Sequence, residues 1–406
     1  MPSPMRILWV KVGGLWPLNT GGRLRSFHTI AELSRRHCVT VLTTHGPGED
    51  AEELAGQLAG CESVLSVPYA IPKTGTPRFT AALVRSWLSV YPADLWRCRV
   101  PALQAHVQEA MDGGTDVCVA DFLVAAPNVP LGGNVPSILF EHNVEFMMWK
   151  RLHAVERRAL RRALLAIEWR KMRRYEALAC RRAALTVAVS EADRAMLSSC
   201  SPHADIRAIP TGVDTTYFHP NGTGEKPAAL VFTGSMDWYP NEDAILHFLS
   251  TVLPAIRRRI PRVTFKVVGR NPTARLKEAG KVEGVEVTGT VADVRPHVAE
   301  AAVYVVPLRI DGGTRLKIFE ALAMGKAVVA TTVGAEGLPI VPGKHYIRAD
   351  DPDEFADAVV RLLESPDRRR SLGAAGRDLV EAHYSWAQVG RQFENLCEEV
   401  VSIHAR

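Results

Sequence analysis

The chain has 406 residues, too many for one ordinary core and enough for two domains. Hydrophobic residues make up 47% and charged residues 23%, with a mild formal net charge of +5, a balance ordinary for a soluble globular protein. Seven scattered cysteines, with no CxxC pair, argue against a disulfide framework or structural zinc and fit a reducing cytoplasm.

In chain order, Arg6–Val12 reads as a buried strand with no signal-peptide core before it, and no run reaches the length of a spanning helix. A loop ending in Gly21-Gly22, an amphipathic helix Ser26–Arg36 and a strand Cys38–Thr44 make a βαβ opening, which predicts a parallel sheet. Gly21 and Gly22 lie where a strand end meets a helix start. Either their amides face an anion, or the pair is a flexible turn; no GxGxxG with a following acid marks a dinucleotide site. Residues 48–110 give helices and short strands with few chemical clues. Asp116–Ala120 and Ser137–Glu141 read as buried strands. His142 follows the second, on the side where open α/β sheets bind ligands, with a structural histidine as the competing reading.

From Trp149 to Arg182 one long helical pattern carries twelve Lys and Arg against three Glu, interleaved with Trp149, Trp169 and Tyr175. It suits an anionic membrane surface or anionic substrate, or a solvated face over a core stripe; no recognised motif accompanies it, and nucleic acid is not expected. Ala184–Ser190 is a further strand. The connector Ile209–Pro220 and the polar residues 221–227 mark a boundary. The second half holds strands Ala229–Thr233, Thr264–Val268, Val285–Thr288, Val303–Val306 and Ala327–Thr331, with a helix Glu242–Leu249 after the loop Gly234-Ser-Met-Asp-Trp-Tyr-Pro-Asn241. An amphipathic helix Ser385–Val400 ends the pattern.

The chemistry gathers in Asp311–Ala330. A helix from Arg315 to Met324 puts Leu316, Ile318, Phe319, Leu322 and Ala323 on a core face, with Lys317 and Glu320 on the other. Gly312 and Gly313 let a phosphate approach the backbone, Thr314 is a natural N-cap, and Arg315 sits at the positive end of the helix dipole. Arg315 and Lys317 offer two cations to a diphosphate, and Glu320 offers two acceptors to a ribose diol. The bland alternative is a capped helix with an i,i+3 Lys–Glu pair.

With Gly21-Gly22, Val189-Ser-Glu-Ala-Asp193, Pro210-Thr-Gly-Val-Asp214, Phe232-Thr-Gly-Ser235, Val268-Gly269, Val287-Thr-Gly289 and Gly312–Gly325 in this order, the chain resembles the family-4 retaining glycosyltransferases of the GT-B fold, most of all the bacterial surface-polysaccharide type. The resemblance implies an α/β fold of two Rossmann-like, doubly wound domains facing each other across a cleft. These are residues 1–205 on the acceptor side and 206–384 on the donor side, with helix 385–406 packing back on the first. It implies that Glu320 binds the donor ribose, that Gly312, Gly313 and Thr314 face the sugar and phosphates, that Gly234 and Ser235 line the donor site, and that Gly21-Gly22 approach the diphosphate. His142 matches a histidine near the transferred sugar. Two departures stand out. Gly312 replaces the first acid of the family's Glu-x7-Glu pair, with Asp311 one residue off, and Ser235–Asn241 lacks the usual Arg and Lys, leaving Arg315 and Lys317 as substitutes.

The expected activity is transfer of a sugar from a nucleoside-diphosphate sugar to an acceptor hydroxyl on a glycan or lipid-linked glycan, in exopolysaccharide or cell-surface polysaccharide synthesis. His142, Arg315 and Lys317 are the expected catalytic residues. The nucleotide sugar is a co-substrate; no cofactor or metal is expected. The expected location is the cytoplasm, peripheral on the inner membrane face. A sugar-nucleotide epimerase or hydrolase of the same fold, or a non-catalytic nucleotide-sugar-binding scaffold, are the alternatives.

Overall fold

The computed structural model describes residues 3–405 other than 19, 74, 223 and 311–315, and of Val155 the backbone alone. Two compact units divide the chain, one of residues 1–211 with 389–406 and one of residues 212–388.

The first unit is built on β1 (Arg6–Lys11), β2 (Cys38–His45), β3 (Ser63–Pro68), β4 (Val117–Asp121), β5 (Ser137–Phe140), β6 (Leu185–Ala188) and β7 (Ile206–Ala208). They form one parallel sheet in the order β3-β2-β1-β4-β5-β6-β7. Every residue of β4, β5 and β6, and all of β1 after Arg6, is buried, because helices cover both faces. The winding reverses between β1 and β4, so the crevice for a ligand lies at their carboxyl ends. The register there sets Lys11 directly beside Asp121.

Two local readings change. The first helix is Gly21–Leu33 rather than 26–36: Thr20 caps it by accepting from the Arg23 amide, so the glycine pair forms its first turn. The basic stretch is not one helix but two, Glu145–Val155 and Ala159–Arg182. Glu156 and Arg158 take extended backbone, and the Glu156 carboxylate accepts from the Arg158 amide at 2.9 Å, which ends one helix and starts the next. The two fold back on each other, so that Glu176 near the end of the second accepts from the amides of Glu145 and Phe146 at the start of the first, at 2.8 and 2.9 Å.

The second unit is built on β8 (Lys226–Thr233), β9 (Thr264–Val268), β10 (Val285–Val287), β11 (Ala301–Val306), β12 (Ala327–Ala330) and β13 (Ile347–Arg348), all parallel, in the order β10-β9-β8-β11-β12-β13. Its winding reverses between β8 and β11. The helix after β8 starts at Tyr239, earlier than the sequence pattern suggests, and takes Asn241 into its first turn. The final helix is Trp386–His404; its Phe393 ring packs on Trp9 and Phe140 of the first unit at 5.5 and 5.1 Å.

Candidate functional site

At the switch point of the first sheet, five buried side chains form one network. Asp121, at the end of β4, accepts from Lys11 Nζ at 3.1 Å and Trp9 Nε1 at 3.0 Å on one oxygen. Its other oxygen meets His142 Nε2 at 2.8 Å. Arg25, on the helix Gly21–Leu33, reaches His142 Nδ1 at 3.2 Å and donates to the Thr211 hydroxyl. Because a guanidinium has only donors, Nδ1 accepts, and the imidazole proton sits on Nε2 facing Asp121. Burial pushes His142 down to about 3, with Asp121 opposing and the cations Arg25 and Lys11 reinforcing the shift, so the ring is neutral. Burial alone would raise the Asp121 carboxyl; Lys11 and His142 together hold it well below the usual range.

This network bears on Gly21 and Gly22. Lys11 Nζ lies 3.1 Å from the Ser26 hydroxyl, which donates to the Gly22 carbonyl at 2.9 Å. Phe122, the residue after Asp121, takes a left-handed backbone (φ 69°), rare for an aromatic residue, and its ring stacks on His142 with centroids 3.7 Å apart. That ring also covers Gly22, where any Cβ would come within 2.4 Å of it. The glycine at 22 is thus required by packing, and the turn is a held one rather than a flexible one. His142 falls among these residues, buried and with both ring nitrogens engaged inside the protein.

In the second unit, Gly234 and Ser235 follow β8, and Lys317 and Glu320 lie one turn apart on the helix Leu316–Ala323. Its Ile318, Phe319, Leu322 and Ala323 are buried as the periodicity predicts, while Leu316 is only half-buried and Ala321 joins the core. Lys317 Nζ donates to Asn241 Oδ1 at 2.8 Å and sits 4.2 Å from the centre of the Phe232 ring. Asn241 in turn donates to the Ser235 carbonyl at 2.8 Å. Gly234 makes room for this seat: a Cβ there would lie 2.9 Å from both Lys317 Nζ and Asn241 Nδ2. The half-buried Glu320 carboxyl is pushed up to about 7 by desolvation, against the pull of Lys317. Asp311, Gly312, Gly313, Thr314 and Arg315 lie outside the described residues.

The sequence reading missed several neighbours. Arg270, at the end of β9, donates through Nε to the Ser235 hydroxyl at 2.8 Å, so the loop without a cation of its own borrows one from the adjacent strand. Asn241, Lys11, Asp121 and Arg25 were also missed. The available signal was a charged residue closing an otherwise apolar strand, as at Lys11 and Asp121.

Two family models match in succession, Glycosyltransferase Family 4 over residues 21–217 and Glycosyl transferases group 1 over residues 227–365. Among curated proteins, the chain is 31% identical to a GDP-mannose-dependent alpha-(1-6)-phosphatidylinositol monomannoside mannosyltransferase of Mycobacterium tuberculosis over 225 residues, 49% of this chain and 57% of that enzyme. The chain thus spans little more than half the length of that relative. The Mycolicibacterium smegmatis protein of the same name is 26% identical over 361 residues, 78% of this chain and 92% of that one. Among solved structures, sucrose-phosphate synthase from Thermosynechococcus elongatus superposes with a TM-score of 0.67 at 17% identity, covering 98% of this chain and all (100%) of that one. Anabaena HepE in complex with UDP gives 0.67 at 15% identity, covering 97% and 100%. At these identities the structural likeness speaks for the fold.

Proposed function

From the premise that this chain belongs to the family-4 glycosyltransferases of the GT-B fold, we propose that it transfers a hexose from a nucleoside-diphosphate sugar to a hydroxyl of a glycolipid or lipid-linked glycan, with retained configuration. The product belongs to cell-surface glycan or exopolysaccharide synthesis. The observation that carries this reading is the seat of Lys317 on Gly234 and Asn241, one helical turn from Glu320, at the carboxyl ends of the second sheet. A cation and a carboxylate so spaced suit the diphosphate and the ribose of one nucleotide. GDP-mannose is the first donor to test, because the mycobacterial relatives are named for it.

In this mechanism Lys317, with Arg315, offsets the charge that builds on the diphosphate as the glycosidic bond breaks. The leaving phosphate takes the acceptor proton, so no protein base is required. His142 acts by holding Phe122 and Arg25 in place. Transfer is metal-independent, and turnover persists in a chelator. The protein works at an anionic membrane surface met through residues 149–182, from the cytoplasmic side.

The test is nucleotide release with each candidate donor, with and without a mannosylated phosphatidylinositol acceptor. Acceptor-dependent release, abolished together with donor binding by Glu320→Ala, is the expected result. Wild-type donor affinity in Glu320→Ala sinks the assignment. An altered sugar without acceptor would mark an epimerase or hydrolase, and tight binding without turnover a scaffold.

A further inference from the structure

The helix Ala159–Arg182 bears a cavity of about 400 Å³, lined by Trp169, Arg170, Arg173, Arg174, Arg181 and Cys200 over a floor of Ala177. At 100° per residue these four arginines and Ala177 fall on one face, so the small buried side chain at the centre leaves a hollow ringed by guanidinium groups. Among the described residues none of the four has a carboxylate partner. Arg170 donates to its own helix at the Ala166 carbonyl at 2.7 Å and stacks on Trp169, and Arg173 approaches Cys200 Sγ at 3.5 Å. The Trp169 indole N–H is buried in the wall without a hydrogen-bond partner.

We infer that this hollow is a phosphate-binding site that takes the head-group phosphate of an anionic membrane lipid, a proposal that rests on the reading of a lipid-borne acceptor. A solvated helical face ordinarily intersperses both signs of charge. Here four cations ring one hollow, a set that suits a tetrahedral anion with several oxygens. Continuity along the helix selects a lipid rather than free phosphate. Leu160, Ile167, Arg174 and Arg181 recur every seven residues on one stripe, and the first two are large apolar residues 78% and 49% exposed. Met148 and Leu152 on the adjoining helix are 51% and 48% exposed. Apolar side chains beside a basic ring are the composition of a surface that rests at the level of lipid head groups. The Glu156–Arg158 break brings this about, since it folds the basic stretch into two helices and leaves the acid-free half of the second to face outward.

The test is co-sedimentation of the full chain with vesicles of phosphatidylcholine, with and without phosphatidylglycerol, comparing wild type with Arg174→Gln/Arg181→Gln and with Ile167→Ser. Wild type is expected to pellet only when phosphatidylglycerol is present. The partition coefficient should fall about fivefold for each arginine removed, the factor that corresponds to about 1 kcal/mol per basic residue at such a surface. Circular dichroism melts establish that the exposed-site variants remain folded. Pelleting that ignores phosphatidylglycerol or survives the double variant overturns the proposal. So does protection by inorganic phosphate equal to that by vesicles, or retention on nucleic acid without vesicle binding. Donor binding, read separately by thermal shift, is expected to be unchanged in all three proteins. Loss of vesicle binding alone therefore refutes only this site, whereas a wild type that binds no donor refutes the transferase reading.

Discussion

Glu320 carries a pH signature. Desolvation raises its free carboxyl to about 7; in the proposed donor site the ribose hydroxyls donate more strongly to the ionised form than to the neutral acid, so the bound state has the lower value. Donor binding thus releases a proton. Affinity is full above about pH 7 and weakens by about tenfold per unit as pH falls below it, and Glu320→Gln removes this slope. Isothermal titration across pH reads it directly; a flat profile in the wild type would refute the ribose contact. Gly234→Ala tests the neighbouring seat. Its backbone is not left-handed, so alanine folds there, but the added methyl displaces Lys317 and Asn241. Donor affinity should fall about tenfold or more, the worth of a charge-assisted contact, with the melting temperature little changed. Asp121→Asn leaves Lys11 and Arg25 buried without their counter-charge, which costs about 3–5 kcal/mol. Adding Lys11→Met should recover part of that loss in urea titrations, and a double variant as unstable as the single would contradict the network.

At the scale of the element, the helix Glu145–Val155 starts against a cluster of buried acids. Glu141 is 1% exposed, and burial with the charges of Glu176 and Glu145 pushes its carboxyl well above the usual range, against a backbone hydrogen bond from Leu123. Burial likewise raises Glu176 and brings Glu145 to about 7. Folded carboxyls raised above their unfolded values contribute stability that is full in acid and is lost as pH rises through the folded values. The first unit should therefore melt lower at about pH 9 than at about pH 6. Glu141→Gln, neutral and of the same shape, should match wild type in acid and lose less on the alkaline side. An equal loss in both would remove Glu141 from the effect. The same elements show the limit of periodicity. The basic stretch reads as one amphipathic run because its apolar spacing continues through Glu156, whereas the break is made by a backbone turn that spacing does not encode.

At the scale of the molecule, the final helix returns to the first unit after the second is complete. Phe393 is fully buried there, Glu394 meets His37 at 2.9 Å, and Glu399 holds Arg207 in a two-pronged pair at 2.6 and 2.7 Å. Phe393→Ala should cost about 3–5 kcal/mol, and hydrogen exchange should show the loss in residues 1–211 while 212–388 keep their protection. Uniform loosening of both units would contradict this division.

The sequence alone determined the parallel α/β class, most strand positions and the glycosyltransferase family, because buried strands are continuous apolar runs and the family motifs are local strings. It also located Lys317 and Glu320, whose spacing within one helix is a local property. Only the tertiary structure decided what surrounds them. Strand order set Arg270 beside Ser235, register set Lys11 beside Asp121, and packing of the Phe122 ring explained Gly22 and enclosed His142. Such partners lie tens to hundreds of residues apart, and no periodicity or motif records a distance that is created only when strands pair and helices close over them.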